Sequence, residues 1–216
     1  MTYKVNDACV SVECLVMGPI ENNVYVIDDG VGAFVVDPTC DAERIVKEVG
    51  DRRLDSIVLT HAHWDHVGAA KALRDLTGAR VIASATDAPV ITGERLLDAS
   101  HRRFEPCPVD RTVADGDVIE IGNMRWRVVE TPGHTPGSMC LFLDPKFGSC
   151  EGAPVLIAGD TLFAGTHGRT DFVGGDPAAM GRSLRRLAEL PDDTIVLPGH
   201  NALTTIAREK LWILHR

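Results

Sequence analysis

A chain of 216 residues can bury a sizeable core, and its 44% hydrophobic and 25% charged residues are ordinary for a globular protein. Its 31 acidic residues outnumber its 22 basic ones, and the net charge of −9 disfavours a surface that binds nucleic acid. No apolar stretch is long enough to span a membrane, so we expect no membrane partner.

The N-terminus and the cysteines predict a cytoplasmic protein. Residues 1–7 contain no positively charged region that leads into an apolar core, so we expect no signal peptide. The six cysteines form no Cys-x-x-Cys pair, and several lie in apolar strand-like runs such as 138–143. This usage is typical of reduced thiols.

Strand-like and helix-like segments alternate along the first half of the chain. Apolar runs bounded by turn residues predict strands at 8–17, 22–28, 31–37, 55–60 and 81–83. Apolar residues at helical spacing predict helices at about 41–49 and 66–76. Residues 84–116 are the least regular part and are rich in Pro, Asp and Arg, so we expect a lid or a rim there.

The second half repeats this plan. Strands are predicted at 118–121, 125–129, 138–143, 154–158 and 194–197, and helices at about 177–190 and 203–213. Strands in both halves with interspersed helices predict an α/β fold in which two sheets are covered by helices on their outer faces. No low-complexity linker interrupts the pattern, so we predict a single domain over residues 1–216.

A dense cluster of metal-binding side chains follows the strand at 55–60. Three imidazoles and a carboxylate fall within six residues, at His61, His63, Asp65 and His66. These side chains hold transition metals at neutral pH, and a strand end gives them a rigid platform. The spacing predicts a metal site.

Three further candidates follow other predicted strands. His134, Asp160 and His200 each lie within five residues of the end of a predicted strand, and each is preceded by glycine. Taken singly, a histidine at such a position is more often a capping or core residue. However, ligands in α/β proteins bind outside the ends of core strands, so four strand ends directed at one crevice would form a coherent site.

The order of these residues resembles the metallo-β-lactamase superfamily over essentially the whole chain. Residues 159–163 and the run Gly168-Arg169-Thr170-Asp171-Phe172 are similar to the glyoxalase II-like hydrolases, in the short form without a C-terminal helical domain. The resemblance implies a four-layer αβ/βα sandwich with the site at one edge of the two sheets.

The resemblance also implies roles for the seven candidate ligands. His61, His63 and His134 would bind a first divalent metal, Asp65, His66 and His200 would bind a second, and Asp160 would bridge the two. Seven nitrogen and oxygen donors exceed what one zinc ion needs, which independently supports two metals. With no thiolate among the donors, zinc is favoured, although iron or manganese would also suit them.

The expected reaction is hydrolysis of a small-molecule substrate, in the family a thioester. Water held between two cations loses a proton near neutral pH and supplies a hydroxide nucleophile for a polarised carbonyl group. Asp65 can orient that nucleophile as the catalytic carboxylate, so neither a serine nor a cysteine nucleophile is required. Thr60 and Thr161, next to the ligands, are candidates to support them.

Arg169 is the candidate substrate-binding residue, because the family places a basic residue in this loop against the glutathione moiety. It could equally pair with Asp171 or Asp176 as a structural bridge. His167 is expected at the rim of the site, and His101 and His215 are expected on the surface.

Other functions stay open on the sequence alone. A mononuclear iron oxygenase of the persulfide dioxygenase type shares the run at residues 168–172. A β-lactamase-like or other ester or amide hydrolase is a lesser alternative. A metal-binding domain without catalytic activity is disfavoured by the intact ligand set.

Overall fold

The structure of the protein is a computed structural model, and it describes residues 2–4, 10–97, 104–145 and 152–215, with residues 2–4 described as backbone alone. The predicted surface residue His101 lies outside these ranges. Within them, no helix is both long and apolar enough to cross a membrane. Among the described cysteines, Cys14, Cys40, Cys107 and Cys140 form no disulfide.

The first sheet comes from the N-terminal half of the chain. Within the described ranges it has seven strands in chain order, β1 (Thr2–Lys4), β2 (Ser11–Met17), β3 (Asn22–Asp28), β4 (Ala33–Val36), β5 (Leu54–Leu59), β6 (Arg80–Ser84) and β7 (Arg111–Val113). Strands β1 to β4 pair antiparallel, whereas β4 to β7 pair parallel. The parallel part therefore directs the carboxyl ends of its strands to one edge.

The second sheet comes from the C-terminal half. In the described part of the chain its strands are β8 (Val118–Ile121), β9 (Met124–Glu130), β10 (Met139–Leu143), β11 (Val155–Gly159), β14 (Ile195–Pro198) and β15 (Thr204–Thr205), in the order β15-β14-β11-β10-β9-β8. Strands β11 and β14 pair parallel, and the other neighbours pair antiparallel. A short hairpin of β12 (Leu162–Phe163) and β13 (Thr166–His167) follows β11.

Helices cover the outer face of each sheet. The described helices are α1 (Ala42–Val49), α2 (Trp64–Val67), α3 (Ala70–Thr77), α4 (Ala88–Ile91), α5 (Pro177–Leu187) and α6 (Ile206–Leu214). One hydrophobic cluster lies between the two sheets, a second packs α1 and α3 on the first sheet, and a third packs α5 and α6 on the second. These layers confirm the predicted αβ/βα sandwich.

Strand β5 shows why the buried residues at its end, 57–59, are all apolar. Val58 faces the cluster between the sheets, whereas Ile57 and Leu59 face the helices. Successive side chains of a strand point to opposite faces, so a strand covered on both sides is apolar on both of its faces. This buried strand ends at Leu59, directly before the histidine cluster, and so fixes its position.

The helix predicted at 66–76 is in fact two helices, α2 and α3, separated at Gly68. A Cβ atom on Gly68 would lie 2.3 Å from the carbonyl oxygen of Thr39. The next amide, of Ala69, donates to the carbonyl oxygen of Pro38 at 2.8 Å. The prediction was wrong here because contacts with a distant loop interrupt a helical pattern that is continuous in the sequence.

Residues 84–116 are more regular than predicted, where the structure describes them. They include the short helix α4 and the edge strand β7, and Ser84 and Asp87 are buried. The last helix also begins later than predicted, at Ile206, because Thr204–Thr205 pairs with β14 as a strand. Helix α5 ends at Leu187 rather than near 190.

Trp126 in β9 is the largest side chain that is fully buried among the described residues, and its ring packs edge-on against Phe34 of the other sheet, with centroids 5.5 Å apart. We predict that Trp126→Ala lowers the free energy of unfolding by about 3–5 kcal/mol, because it removes contacts that join the two sheets and leaves a cavity. Urea denaturation of metal-free protein measures this change. Leu211→Ala, at a side chain that is 69% exposed, is the control and should change it by about 0.5 kcal/mol or less; equal effects of the two variants would contradict the packing argument.

Candidate metal centre

Four strand ends meet at one edge of the sandwich. β5 leads to His61, β9 to His134, β11 to Asp160 and β14 to His200. The two sheets are joined here, because the amide of Met139 donates to the carbonyl oxygen of Thr60 at 3.0 Å. The structure thus brings together side chains that are up to 139 positions apart in the sequence.

The first predicted ligand set forms a compact cluster. His61, His63 and His134 are buried, and each offers a ring nitrogen within 4.8 Å of the others. Nδ1 of His63 lies 2.7 Å from Nε2 of His134. Three imidazoles at these separations can bind one metal ion.

The second predicted set lies beside the first. Oδ2 of Asp65 is 3.3 Å from Nε2 of His66 and 3.4 Å from Nε2 of His200. These three residues also offer donor atoms within 4.8 Å of one another. They provide one carboxylate and two imidazoles for a second ion.

Asp160 contacts both sets. Its Oδ1 lies 3.4 Å from Nε2 of His66, and its Oδ2 lies 3.5 Å from Nε2 of His134 and 3.6 Å from Nε2 of His200. All seven predicted ligands therefore converge, with Asp160 between the two sets. A carboxylate in this position can be shared by two cations.

Two buried atoms at the centre fit a bound cation. Nε2 of His61 has no hydrogen-bond partner among the described residues, and within the same ranges Oδ1 of Asp160 accepts no hydrogen bond. Leaving buried polar atoms unsatisfied costs about 1–3 kcal/mol each, and a metal ion would satisfy both. The donor set, all imidazole nitrogen and carboxylate oxygen, suits zinc, iron or manganese.

The charges of the ligands are balanced against one another. Burial and the neighbouring imidazoles hold the pKa of His61 well below its ordinary value, which keeps its ring neutral and able to bind metal. Burial alone would raise the pKa of Asp65, but hydrogen bonds from His200 and His66 outweigh it and lower that pKa. Burial would likewise lower the pKa of His66, but Asp160 and Asp37 raise it well above its ordinary value. Without a metal ion, the second set thus favours protonated imidazole beside carboxylate.

Asp37 also belongs to this centre, although it is not among the predicted ligands. Its Oδ2 accepts from Thr60 Oγ1 at 2.6 Å and lies 2.9 Å from Nδ1 of His66, and its Oδ1 accepts from the Thr60 amide at 2.8 Å. It also lies close enough to His61 and His66 to share a metal with them. Asp37 directly follows the apolar strand β4, so the rule that predicts the other ligands applies to it, but the proline after it favours a turn residue.

Asp87 is a second residue that the sequence does not reveal. Its Oδ2 accepts from the Ala62 amide at 2.9 Å and from Thr135 Oγ1 at 2.8 Å, so it ties the loop of His61 and His63 to the loop of His134. Burial raises its pKa. No motif marks this residue, because it lies in the region that is predicted to be irregular.

Two glycines allow the ligands to approach this closely. Gly159 has φ +46°, and a Cβ atom there would lie 2.5 Å from Thr60 Oγ1. A Cβ atom on Gly199 would lie 2.3 Å from Oδ1 of Asp160. The glycines before Asp160 and His200 therefore provide room that no other residue would leave.

The remaining predicted residues lie around the centre. Thr60 Oγ1 is 3.0 Å from Nδ1 of His61, as expected of a supporting residue, whereas Thr161 Oγ1 instead bonds Thr131 Oγ1 at 2.7 Å. His167 is half-buried and stacks on Trp212 outside both ligand sets, and His215 is exposed.

Arg169 lies in the loop beside the first set. Its carbonyl oxygen is 2.7 Å from Nδ1 of His134. Its guanidinium binds Asp171 through two hydrogen bonds of 2.9 and 2.6 Å and lies 4.2 Å from the ring centre of Phe172. Of the two structural partners considered from the sequence, it pairs with Asp171.

Comparisons with known proteins agree with this geometry. The model of the metallo-beta-lactamase superfamily matches residues 17–200. The hydroxyacylglutathione hydrolase GloC of Haemophilus influenzae is 32% identical over 211 residues, which cover 93% of this chain and 95% of that protein.

Two solved structures are also similar. BLEG-1, a B3 metallo-beta-lactamase, is 31% identical with a TM-score of 0.80, over 94% of this chain and 99% of that chain. TTHA1623 in a di-iron-bound form is 31% identical with a TM-score of 0.74, over 92% of this chain and 98% of that chain. The chain therefore belongs to the metallo-beta-lactamase superfamily, and hydroxyacylglutathione hydrolases are among its relatives.

Proposed function

We propose that the protein is a metal-dependent hydrolase that cleaves thioesters at a two-metal centre. The observation that carries this proposal is the contact of Asp160 with both ligand sets, at 3.4 Å from His66 and 3.5 Å from His134. A single metal would not require a carboxylate between two separate groups of donors.

Zinc is the proposed metal, because the donors are imidazoles and carboxylates arranged in small clusters. His61, His63 and His134 would hold one ion, and Asp65, His66 and His200 the other, with Asp160 shared. When bound, two such ions supply a hydroxide nucleophile near neutral pH and polarise the carbonyl group of the substrate. The di-iron form of TTHA1623 makes iron the main alternative.

Asp65 is the proposed catalytic carboxylate. Its lowered pKa keeps it ionised, so it can accept a hydrogen bond from the attacking water and orient it. No protein nucleophile is needed. Cys107 and Cys140 are buried, and burial raises the pKa of each thiol to about 11, which leaves them protonated and unreactive.

A thioester is the proposed substrate class for two reasons. The relative GloC is named a hydroxyacylglutathione hydrolase, and its match covers nearly the whole of both chains. A thiolate is also a good leaving group that needs little protonation, which suits a centre whose acidic groups are held as carboxylates by nearby imidazoles.

Arg169 is proposed to bind an anionic part of the substrate. Its side chain is 65% exposed, and it stacks on Phe172, whose ring lies 5.7 Å from the ring of His63. Its present partner, Asp171, is equally exposed. Solvent screens an ion pair as exposed as this one, so a substrate carboxylate can replace Asp171 at little cost in free energy.

The first test combines measurement of the bound metal with assays of thioester hydrolysis. We expect about two zinc ions per chain by elemental analysis and hydrolysis of acyl-glutathione thioesters, with loss of both metals and nearly all activity in Asp160→Ala, since each ion loses a shared ligand. Asp193→Ala, at an exposed carboxylate, is the matched control and should behave as the wild type. One iron per chain with oxygen uptake on a glutathione persulfide would overturn the proposal in favour of the oxygenase.

The second test separates the two roles of Arg169. Arg169→Ala should raise KM for an anionic thioester about tenfold or more with little change in kcat, because binding is lost in both the ground and the transition state. Asp171→Ala should leave KM unchanged or lower it, because it frees the guanidinium. If both variants raise KM equally and lower the melting temperature, the pair is structural instead.

A further inference from the structure

Asn22 is a buried side chain at the second ligand set, and the proposed metal ligands do not include it. It lies at the start of β3 and is 0% exposed. Its Nδ2 is 2.9 Å from Oδ2 of Asp65, 3.3 Å from Nε2 of His200 and 3.4 Å from Nε2 of His66. One amide atom thus touches the donor atoms of all three ligands.

The distances between the Asn22 amide nitrogen and the three ligand atoms match the distances between ligand atoms that share one metal ion. Asp65 Oδ2 is 3.3 Å from His66 Nε2 and 3.4 Å from His200 Nε2, so five measured edges of the four-atom group fall between 2.9 and 3.4 Å. Four donors at about 2.0–2.1 Å from a zinc ion in tetrahedral geometry lie about 3.3 Å apart. The amide atom of Asn22 therefore lies where a donor to this ion would lie, and together with Asp160 it would bring the donors of the second ion to five.

The other end of the same amide is unsatisfied. Oδ1 of Asn22 is buried and has no hydrogen-bond partner among the residues that the structure describes. A half-turn of the carboxamide exchanges Oδ1 with Nδ2 while the side chain stays in place. With a cation between the ligands, that exchange replaces an N–H group directed at positive charge by a carbonyl oxygen, whose negative partial charge is attracted to a cation and which ligates hard divalent ions.

The neighbouring asparagine shows that this arrangement is particular to Asn22. Nδ2 of Asn23 donates to the carbonyl oxygens of Pro198 at 3.0 Å and of Asn201 at 2.9 Å. Asn23 thus has an ordinary structural role, holding the loop of His200 to β3. The amide nitrogen of Asn22 is instead directed at the proposed metal ligands.

We propose that Asn22 is a further donor to the second metal and binds it through Oδ1. This inference rests on the proposed two-metal centre and adds one residue to it. Without the ion, the Asn22 amide donates to Asp65 and holds the donors together. When the ion is bound, Oδ1 contacts it and the N–H group turns away. Asn22 then strengthens the binding of the second metal ion without affecting the binding of the first.

Chelator competition against zinc tests the proposal with two variants of similar size. Asn22→Leu removes the oxygen of the side chain, and we expect about 10- to 100-fold weaker binding of the second zinc, with the first unchanged. Asn22→Asp keeps an oxygen and removes the N–H group, and we expect binding at least as tight as in the wild type.

If the second zinc bound more tightly to Asn22→Leu than to Asn22→Asp, the amide would act only as a donor to Asp65. In that case the carboxylate introduced by Asn22→Asp would face the carboxylate of Asp65 without a hydrogen bond between them. Asn22→Asp would then bind the second zinc more weakly than Asn22→Leu does, and the proposal would be overturned.

A crystal structure of the zinc-loaded wild type gives a readout that needs no variant. We expect Oδ1 of Asn22 at about 2.0–2.2 Å from the second ion. An amide more than about 3 Å from that ion, or equal zinc affinities in the wild type and Asn22→Leu, would overturn the proposal.

If the wild type bound a single metal, both this proposal and the two-metal centre would fail. If the wild type bound two metals but did not cleave thioesters, only the proposed substrate class would be contradicted.

Discussion

The contact of one carboxylate with two groups of imidazoles is the interaction on which this centre depends. Asp160 lies between the ligand sets at distances of 3.4 to 3.6 Å, and its own pKa is lowered because the neighbouring imidazoles outweigh its burial. A buried carboxylate is costly unless it is paired, and here its partners are themselves buried or half-buried. The strand ends can therefore meet only if opposite charges, or metal ions, lie between them.

Because these charged groups must stay close together, the loops that carry them have to be held in place by the surrounding structure. Each ligand-bearing loop begins where a buried strand ends, so the packing of the sheets determines where the loops start. Asp37 and Asp87 then fix the loops to one another through hydrogen bonds that span 23 and 25 positions from Thr60 and Ala62. Such fixing keeps the imidazoles close together despite their mutual repulsion, which a flexible loop would relieve by opening.

The fold and the convergence of the seven candidate ligands could be predicted from the sequence because both follow from local pattern. A polar residue after an apolar strand is visible in the sequence, and the spacing from His61 to His66 is a strong signal. Asn22 and Asp87 give no such signal, since each reaches the site only through contacts with residues distant in the chain, such as Asp65 and Thr135. The break at Gly68 is hidden for the same reason: the helical pattern is local, but the carbonyl oxygen of Thr39 that interrupts it is not.

The loop after Asp160 links the candidate metal centre to Arg169, the proposed substrate-binding residue. The carbonyl oxygen of Arg169 contacts the ring of His134, while its guanidinium lies over Phe172 at the surface. One residue therefore orients a proposed ligand through its backbone and presents a charge to solvent through its side chain. Because these two roles use different atoms, a substitution of the side chain can alter substrate binding and leave the ligand in place. Under the proposed function, substrate specificity can thus vary at the loop while the candidate metal centre stays intact.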